Sequence, residues 1–189
     1  MKNILIKIIP LLIIFTLLIG CRYESKNDYI TPITDETSKT KPDSVRNSAQ
    51  ASDETQLINE LGEEGSLNIL VQNDITTNKD LEIKGDLSNA SKTDNENIIE
   101  STRNLILYNK DNNGNVSTTY KIKAPKLTIK RENTTINYGI FEGDIYIDAD
   151  NFTLYKTKVN GNVYFITNSA KDTFKLEEGA TVTGEIKLK

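Results

Sequence analysis

Three stretches of this chain spell one pattern: "IFEGDIYI" at 140–147, "KVNGNVYF" at 158–165 and "TVTGEIKL" at 181–188. Each reads x-apolar-x-Gly-x-aliphatic-x-apolar. Apolar residues at alternate positions put one face of a strand against a core. A glycine recurring at one offset asks for a φ > 0 corner or for a close approach of backbone. A second motif, apolar-x-apolar, recurs as "LTI" at 127–129, "FTL" at 152–154 and "FKL" at 174–176. The two motifs alternate along the chain. The step from the second motif to the glycine is 16, then 9, then 10 residues, and the return step is 9, then 13. Nine is the core step, and the larger values mark inserted loops.

A short repeat with variable loops and fixed apolar positions suits coils that stack at the strand spacing of about 4.8 Å and share one core. The expected inward stacks are Leu127/Phe152/Phe174, Ile129/Leu154/Leu176, Phe141/Val159/Val182, Ile145/Val163/Ile186 and Ile147/Phe165/Leu188. Upstream, "LNILV" at 67–71 and "LEIKGDL" at 81–87 read as earlier rungs, giving four or five in all. The polar stretch 88–104 reads as a loop, and 105–123 as a β-hairpin turning at Asn113-Gly114. The fold class is therefore all-β: a short single-stranded parallel β-solenoid with an inserted β-hairpin, preceded by a disordered tether. A β-sandwich competes, since short strands and frequent turns also suit it. The repeats fix residue type and not only alternation, which favours the solenoid.

The N-terminus reads as a targeting segment. Lys2 and Lys7 precede an apolar run from Ile8 to Ile19, which is 12 residues long. That is short for a membrane span of about 20 but suits a secretory signal. It ends in Leu18-Ile19-Gly20-Cys21, and Cys21 is the only cysteine of the chain. Residues 22–52 are polar, with Pro32 and Pro42 and no apolar periodicity, and read as a flexible spacer. Residues 53–64 read as a short helix, capped by Ser52 or Asp53, with Leu57, Ile58 and Leu61 on one face and Gly62 or Gly65 at its end. The organisation expected is a signal peptide at 1–20, a lipidated Cys21 and linker at 21–52, a capping helix within 53–66 and the solenoid at 67–189.

Leu18-Ile19-Gly20-Cys21 resembles the lipobox of bacterial lipoproteins. That resemblance implies a diacylglycerol on the Cys21 thiol, cleavage before it and an extracytoplasmic, membrane-anchored protein. The repeats, from "APKLTIKRENTTINYGIFEGDIYI" to "NFTLYKTKVNGNVYF", resemble right-handed parallel β-helix surface proteins, pectin-lyase-like in shape. With the lipobox and spacer they are similar to uncharacterised Gram-positive surface β-helix lipoproteins. More distantly, the Gly-Asp/Asn-aliphatic rungs resemble bactofilins, which polymerise. A signal peptide departs from the usual cytosolic bactofilin, and no polysaccharide-lyase motif is matched, so no catalytic residue carries over.

Charge and composition narrow the function classes. The formal net charge is −4 and there is no histidine. A pI near 5.1 argues against nucleic acid as a partner. Without histidine the commonest general base and a major metal ligand are missing. With the lone Cys21 assigned to lipid, no thiol is left for redox chemistry.

"DNNGN" at 111–115 spaces Asp111, Asn113 and Asn115 as calcium loops do, but position 122 is Ile where a bidentate Glu is needed, so a plain hairpin turn is the expectation. Asp144, Asp148 and Asp150 lie near Lys156 and Lys158 in sequence, the grouping a carbohydrate-active site would use. Asp144 nevertheless matches Asn162 and Glu185 in other rungs, which marks an outward repeat position. No catalytic residue, metal site or cofactor is assigned. Tyr146 and Tyr164 share a slot in adjacent rungs with Lys187 next, and Lys130, Tyr155 and Glu177 are aligned as a second ladder. Tyr146, Tyr164 and Tyr155 are the candidate ligand residues, because stacked Tyr binds sugar rings or stabilises a sheet face.

The leading expectation is a non-enzymatic, lipid-anchored surface protein with a structural, assembly or adhesion role. A cell-wall or glycan-binding module is the alternative, and a small carbohydrate-active enzyme is third. The partners expected are the membrane through Cys21, a cell-wall glycan, and a second copy through the C-terminal end of the solenoid. That last expectation rests on the final rung, whose unpaired backbone recruits strands.

Overall fold

The computed structural model describes residues 47–85 and 101–189, with the backbone of two short strands between them. The expected signal peptide, Cys21 and the linker up to residue 46 lie outside the described residues.

The chain winds into a parallel β-solenoid of about six turns, built from two sheets. Sheet A stacks β1 (Ser48–Ala51), β2 (Asn68–Val71), β7 (Arg103–Ile106), β11 (Thr134–Asn137), β13 (Thr153–Tyr155) and β16 (Lys175–Glu177), every pair parallel. Sheet B stacks β3 (Ile75–Thr76) with β4 (Leu81–Ile83), β10 (Lys121–Ile129), β12 (Ile140–Ile147), β14 (Lys158–Asn160) with β15 (Val163–Phe165), and β17 (Thr181–Val182) with β18 (Ile186–Leu188). The expected four or five rungs thus undercount. A further half-turn, β1, comes from the stretch read as linker, so the solenoid starts at Ser48 and not at Leu67. "SAQA" carries too little apolar character to announce a strand, yet its Ala51 is fully buried beside Val71.

Alternation decides which face is core. Four columns run down the interior: Ile69–Leu105–Ile136–Leu154–Leu176, Ile75–Ile122–Phe141–Val159–Val182, Leu81–Leu127–Ile145–Val163–Ile186 and Ile83–Ile129–Ile147–Phe165–Leu188. Three expected stacks hold: those through Phe141, Ile145 and Ile147. Two were misassigned. Leu127 stands over Ile145 and not Phe152, and Ile129 over Ile147 and not Leu154. The cause is β10, where Ala124-Pro125 forms a bulge opposite the glycine of the next rung. No glycine marks it, so "LTI" has the look of a sheet A strand while belonging to sheet B. Phe152 and Phe174 do stack on each other, with ring centroids 6.0 Å apart. Each fully buried column member contributes about 1.5–3 kcal/mol, and a single coil could not bury it alone.

The Gly column is explained by close approach. A Cβ on Gly184 would lie 2.6 Å from the Gly161 carbonyl oxygen, and one on Gly161 would lie deep inside contact distance of the Gly143 carbonyl. Only Gly143 of the three also has a positive φ, at 142°. After sheet A every later rung turns through a left-handed residue: Tyr138 (φ 62°), Lys156 (φ 51°) and Glu178 (φ 52°). Asn133 (φ 54°) and Asn151 (φ 59°) turn the rungs into sheet A, a conformation asparagine tolerates well.

Helix α1 (Glu54–Leu61) forms as expected. Asp53 caps it by accepting from the Gln56 amide at 2.9 Å, and Leu57 and Leu61 are buried against β1, β2 and β4. Arg103 enters the core beneath it with 1% exposure and donates to the carbonyls of Glu60, Gly62 and Lys84. Burial lowers its pKa to about 10, with Arg131 adding to the effect. This guanidinium closes the carbonyl end of the helix onto the solenoid.

The stretch 88–104, read as a loop, instead holds an antiparallel pair, β5 (Lys92–Asp94) and β6 (Asn97–Ile99), and the first residues of β7. The hairpin at 105–123 is shorter than its sequence frame: β8 (Tyr108–Lys110) pairs antiparallel with β9 (Val116–Thr119), while β7 and β10 flank it within the sheets. Helix α2 (Asn168–Thr173), capped by Thr167, joins β15 to β16. Its six residues are too few to show a helical period in the sequence.

Candidate functional site

The outer face of sheet B carries one ladder: Glu82, Thr128, Tyr146, Tyr164 and Lys187. The shared slot of Tyr146, Tyr164 and Lys187 is therefore correct. The two rings are tilted at 41° with centroids 5.0 Å apart. Cations attend them: Lys126 is 5.7 Å from the Tyr146 centroid and Lys187 is 5.8 Å from that of Tyr164. Lys189 is nearer still, 4.4 Å from the Tyr146 centroid. Lys126 and Lys187 are already paired. Lys126 meets Asp80 at 2.9 Å and Lys187 meets Glu185, and these carboxylates are the first cause of each ammonium's raised pKa. Lys130 bridges to Glu82 at 2.7 Å, which holds that carboxyl below its usual range.

Tyr155 stands beside Glu177 as expected, but Lys130 is not in their column. The neighbours of Tyr155 are Asn137 and Glu177, with Ile106 before them. Lys130 lies just past the end of β10 and is not part of it, a consequence of the same shift that misplaced "LTI". Tyr155 has aromatic partners that the sequence did not reveal. Its ring meets that of Tyr138 edge-on at 5.8 Å, and Tyr138 meets Tyr108 at 4.5 Å. Lys156 stands 5.4 Å from the Tyr138 centroid and 5.5 Å from that of Tyr155, and Lys110 is 5.8 Å from Tyr108. A hydrogen bond with Tyr138 is the main cause of the raised Lys156 pKa, with Tyr155 and Glu178 adding to it. Tyr108 and Tyr138 fall outside the strand repeat, at a hairpin and at a corner, so periodicity could not align them.

The position after each glycine has a structural task. The Asn162 amide donates to Asp144 Oδ1 at 2.8 Å, and the Glu185 amide donates to Asn162 Oδ1 at 2.9 Å. Asp144 thus continues a ladder, as its repeat position implied. Asp148 is exposed in the turn after β12, and Asp150 Oδ2 accepts from the Ser169 hydroxyl at 2.6 Å. Asp111 serves its own turn: Oδ1 accepts from the amides of Asn113 and Asn115, both at 2.9 Å. Those amides, Asn115 first, hold its carboxyl below the usual range. Among the described residues no group of three His, Cys, Asp or Glu side chains is placed to hold a metal ion, and no helix is long and apolar enough to cross a membrane.

The last rung presents a different surface. Leu176, Ile186 and Leu188 are 44%, 44% and 42% exposed, whereas Leu154, Val163 and Phe165, one rung earlier in the same columns, are at most 1% exposed. The interior columns are thus open at this end among the described residues. At the other end α1 covers them.

No protein-family model matches the chain, and no curated protein and no solved structure is significantly similar to it.

Proposed function

We propose that this chain is a lipid-anchored extracytoplasmic scaffold, held to a membrane through Cys21, whose non-catalytic β-solenoid assembles with a second copy through its last rung. The lipobox-like Leu18-Ile19-Gly20-Cys21 and the polar spacer support the anchor. The observation that carries the assembly reading is the exposed apolar end, with Leu176, Ile186 and Leu188 each above 40% exposed. The edge is also self-complementary. A two-fold axis through the centre of β16 pairs it antiparallel with its copy and sets Lys175 opposite Glu177 of the partner copy, and the reverse. Anchoring in one membrane would raise the local concentration of ends.

The test is sedimentation velocity of residues 41–189, the compact unit that includes β1. Concentration-dependent dimers, abolished by Leu176→Lys, are expected. A monomer at every concentration contradicts the reading.

A second reading is glycan binding by the outward tyrosines Tyr146, Tyr164 and Tyr155. Their partly exposed rings, attended by lysines, favour it.

A further inference from the structure

The hairpin and the tyrosine cluster emerge at one corner of the solenoid. In the third rung the chain leaves at Leu107 and returns at Tyr120, whose amide donates to the Leu107 carbonyl at 2.8 Å. The residues between form β8 and β9, which join neither sheet. The base of this hairpin is pinned by Asn109, which donates to Tyr120 Oη at 2.7 Å and Gln72 Oε1 at 3.3 Å. In the next rung the same corner turns through Tyr138, then in the following one through Lys156. So one projecting insertion and two rungs bring Tyr108, Tyr138, Tyr155, Lys110 and Lys156 together.

Two features mark this cluster. Tyr138 and Lys156 are both left-handed, where glycine would avoid the strain. The corner is left-handed in the last rung too, at Glu178; here its two residues are a tyrosine and a lysine that meet. The cluster's lysines also have no carboxylate partner, Lys156 being hydrogen-bonded to the neutral Tyr138 hydroxyl. Among the described residues neither Lys110 nor Lys156 has a carboxylate within ion-pair distance, although Glu178 acts on Lys156 from farther off; at the other tyrosine ladder Lys126 and Lys187 are paired and only Lys189, 4.4 Å from the Tyr146 centroid, is not.

We infer that the Tyr108–Tyr138–Tyr155 corner binds an acidic glycan, sugar rings lying on the tyrosines and carboxylate or phosphate groups meeting Lys110 and Lys156. This rests on the glycan-binding reading and moves its centre away from Tyr146 and Tyr164. Pyranose C–H faces suit the phenol rings, and an anionic group supplies the partner these ammoniums lack.

Calorimetric titration of the full chain in detergent tests this with three polymers: polygalacturonate for carboxylate, dextran phosphate for phosphate and dextran as the neutral arm. At least one acidic polymer should bind, more weakly as salt rises, and dextran should not. Tyr138→Gly, Lys156→Gly and Lys110→Gln should each weaken binding tenfold or more. The two glycine variants should keep or raise the melting temperature, and Lys110→Gln, on the exposed hairpin, should leave it unchanged. Equal binding of dextran overturns the anionic assignment while sparing the glycan reading. Acidic binding lost in Tyr146→Ala but kept in Tyr138→Gly places the site on the other face and also overturns it. No binding by any polymer removes this inference and the glycan reading together.

Discussion

Asn162 hangs from the carboxylate one rung before it: its backbone amide and its side-chain Nδ2 both donate to Asp144 Oδ1, at 2.8 and 3.0 Å. In the next rung the Glu185 backbone amide donates in the same way to Asn162 Oδ1, at 2.9 Å. A side-chain acceptor after Gly143 and after Gly161 therefore ties each of these rungs to the next one. Asp144→Ala should remove both bonds and cost about 1–3 kcal/mol, while Asp144→Asn, which keeps an acceptor, should cost less than about 1 kcal/mol. Urea unfolding of both variants checks this, and equal losses would mean that the acceptor is irrelevant.

Gly161→Ala tests the glycine column itself. Its added Cβ meets the Gly143 backbone, which cannot move without shifting a whole rung. A loss of several kcal/mol, on the order of 3 or more, is expected. Gly114→Ala, at the hairpin tip with φ 83° and open space around it, should cost only about 1–2 kcal/mol from backbone strain. Thermal denaturation ranks the pair, and a reversed order would contradict the close-approach account.

The strand phase is testable at two adjacent residues. Val163 lies between Ile145 and Ile186 with 0% exposure, and Tyr164 faces outward beside Tyr146. Val163→Asp should bury an unpaired carboxylate and cost several kcal/mol. Tyr164→Asp should cost about 1 kcal/mol, from lost stacking. Similar melting temperatures for the two variants would mean that the register is wrong.

The parts of this molecule that obey one period were legible in its sequence. Val159, Val163 and Phe165 were assigned inward because glycine fixed the phase of their strand. The same reasoning failed at Leu127 and Ile129, where a bulge of Ala124-Pro125 replaces the glycine and carries no repeat mark. Helix α1 was readable from Asp53, Leu57 and Leu61, but β1 was not, since its burial comes from α1 and β2 and not from its own apolar content. At the candidate site Tyr146 and Tyr164 were found because they share a strand slot. Tyr138 and Tyr108 were missed because their meeting depends on a left-handed corner and on where a hairpin is inserted, and neither follows a fixed spacing.

The assembly proposal is tested most directly by disulfide trapping. Cys21 is the only cysteine, so residues 41–189 contain none, and Leu176→Cys introduces a single thiol. Antiparallel pairing of β16 about a two-fold axis at Leu176 would bring the two Cα atoms to about 4.5–5.5 Å, within disulfide reach. Mild oxidation should convert Leu176→Cys to a covalent dimer and leave Val116→Cys, exposed on the hairpin, monomeric. Monomers in both, or dimers formed equally at position 116, would contradict assembly through the last rung.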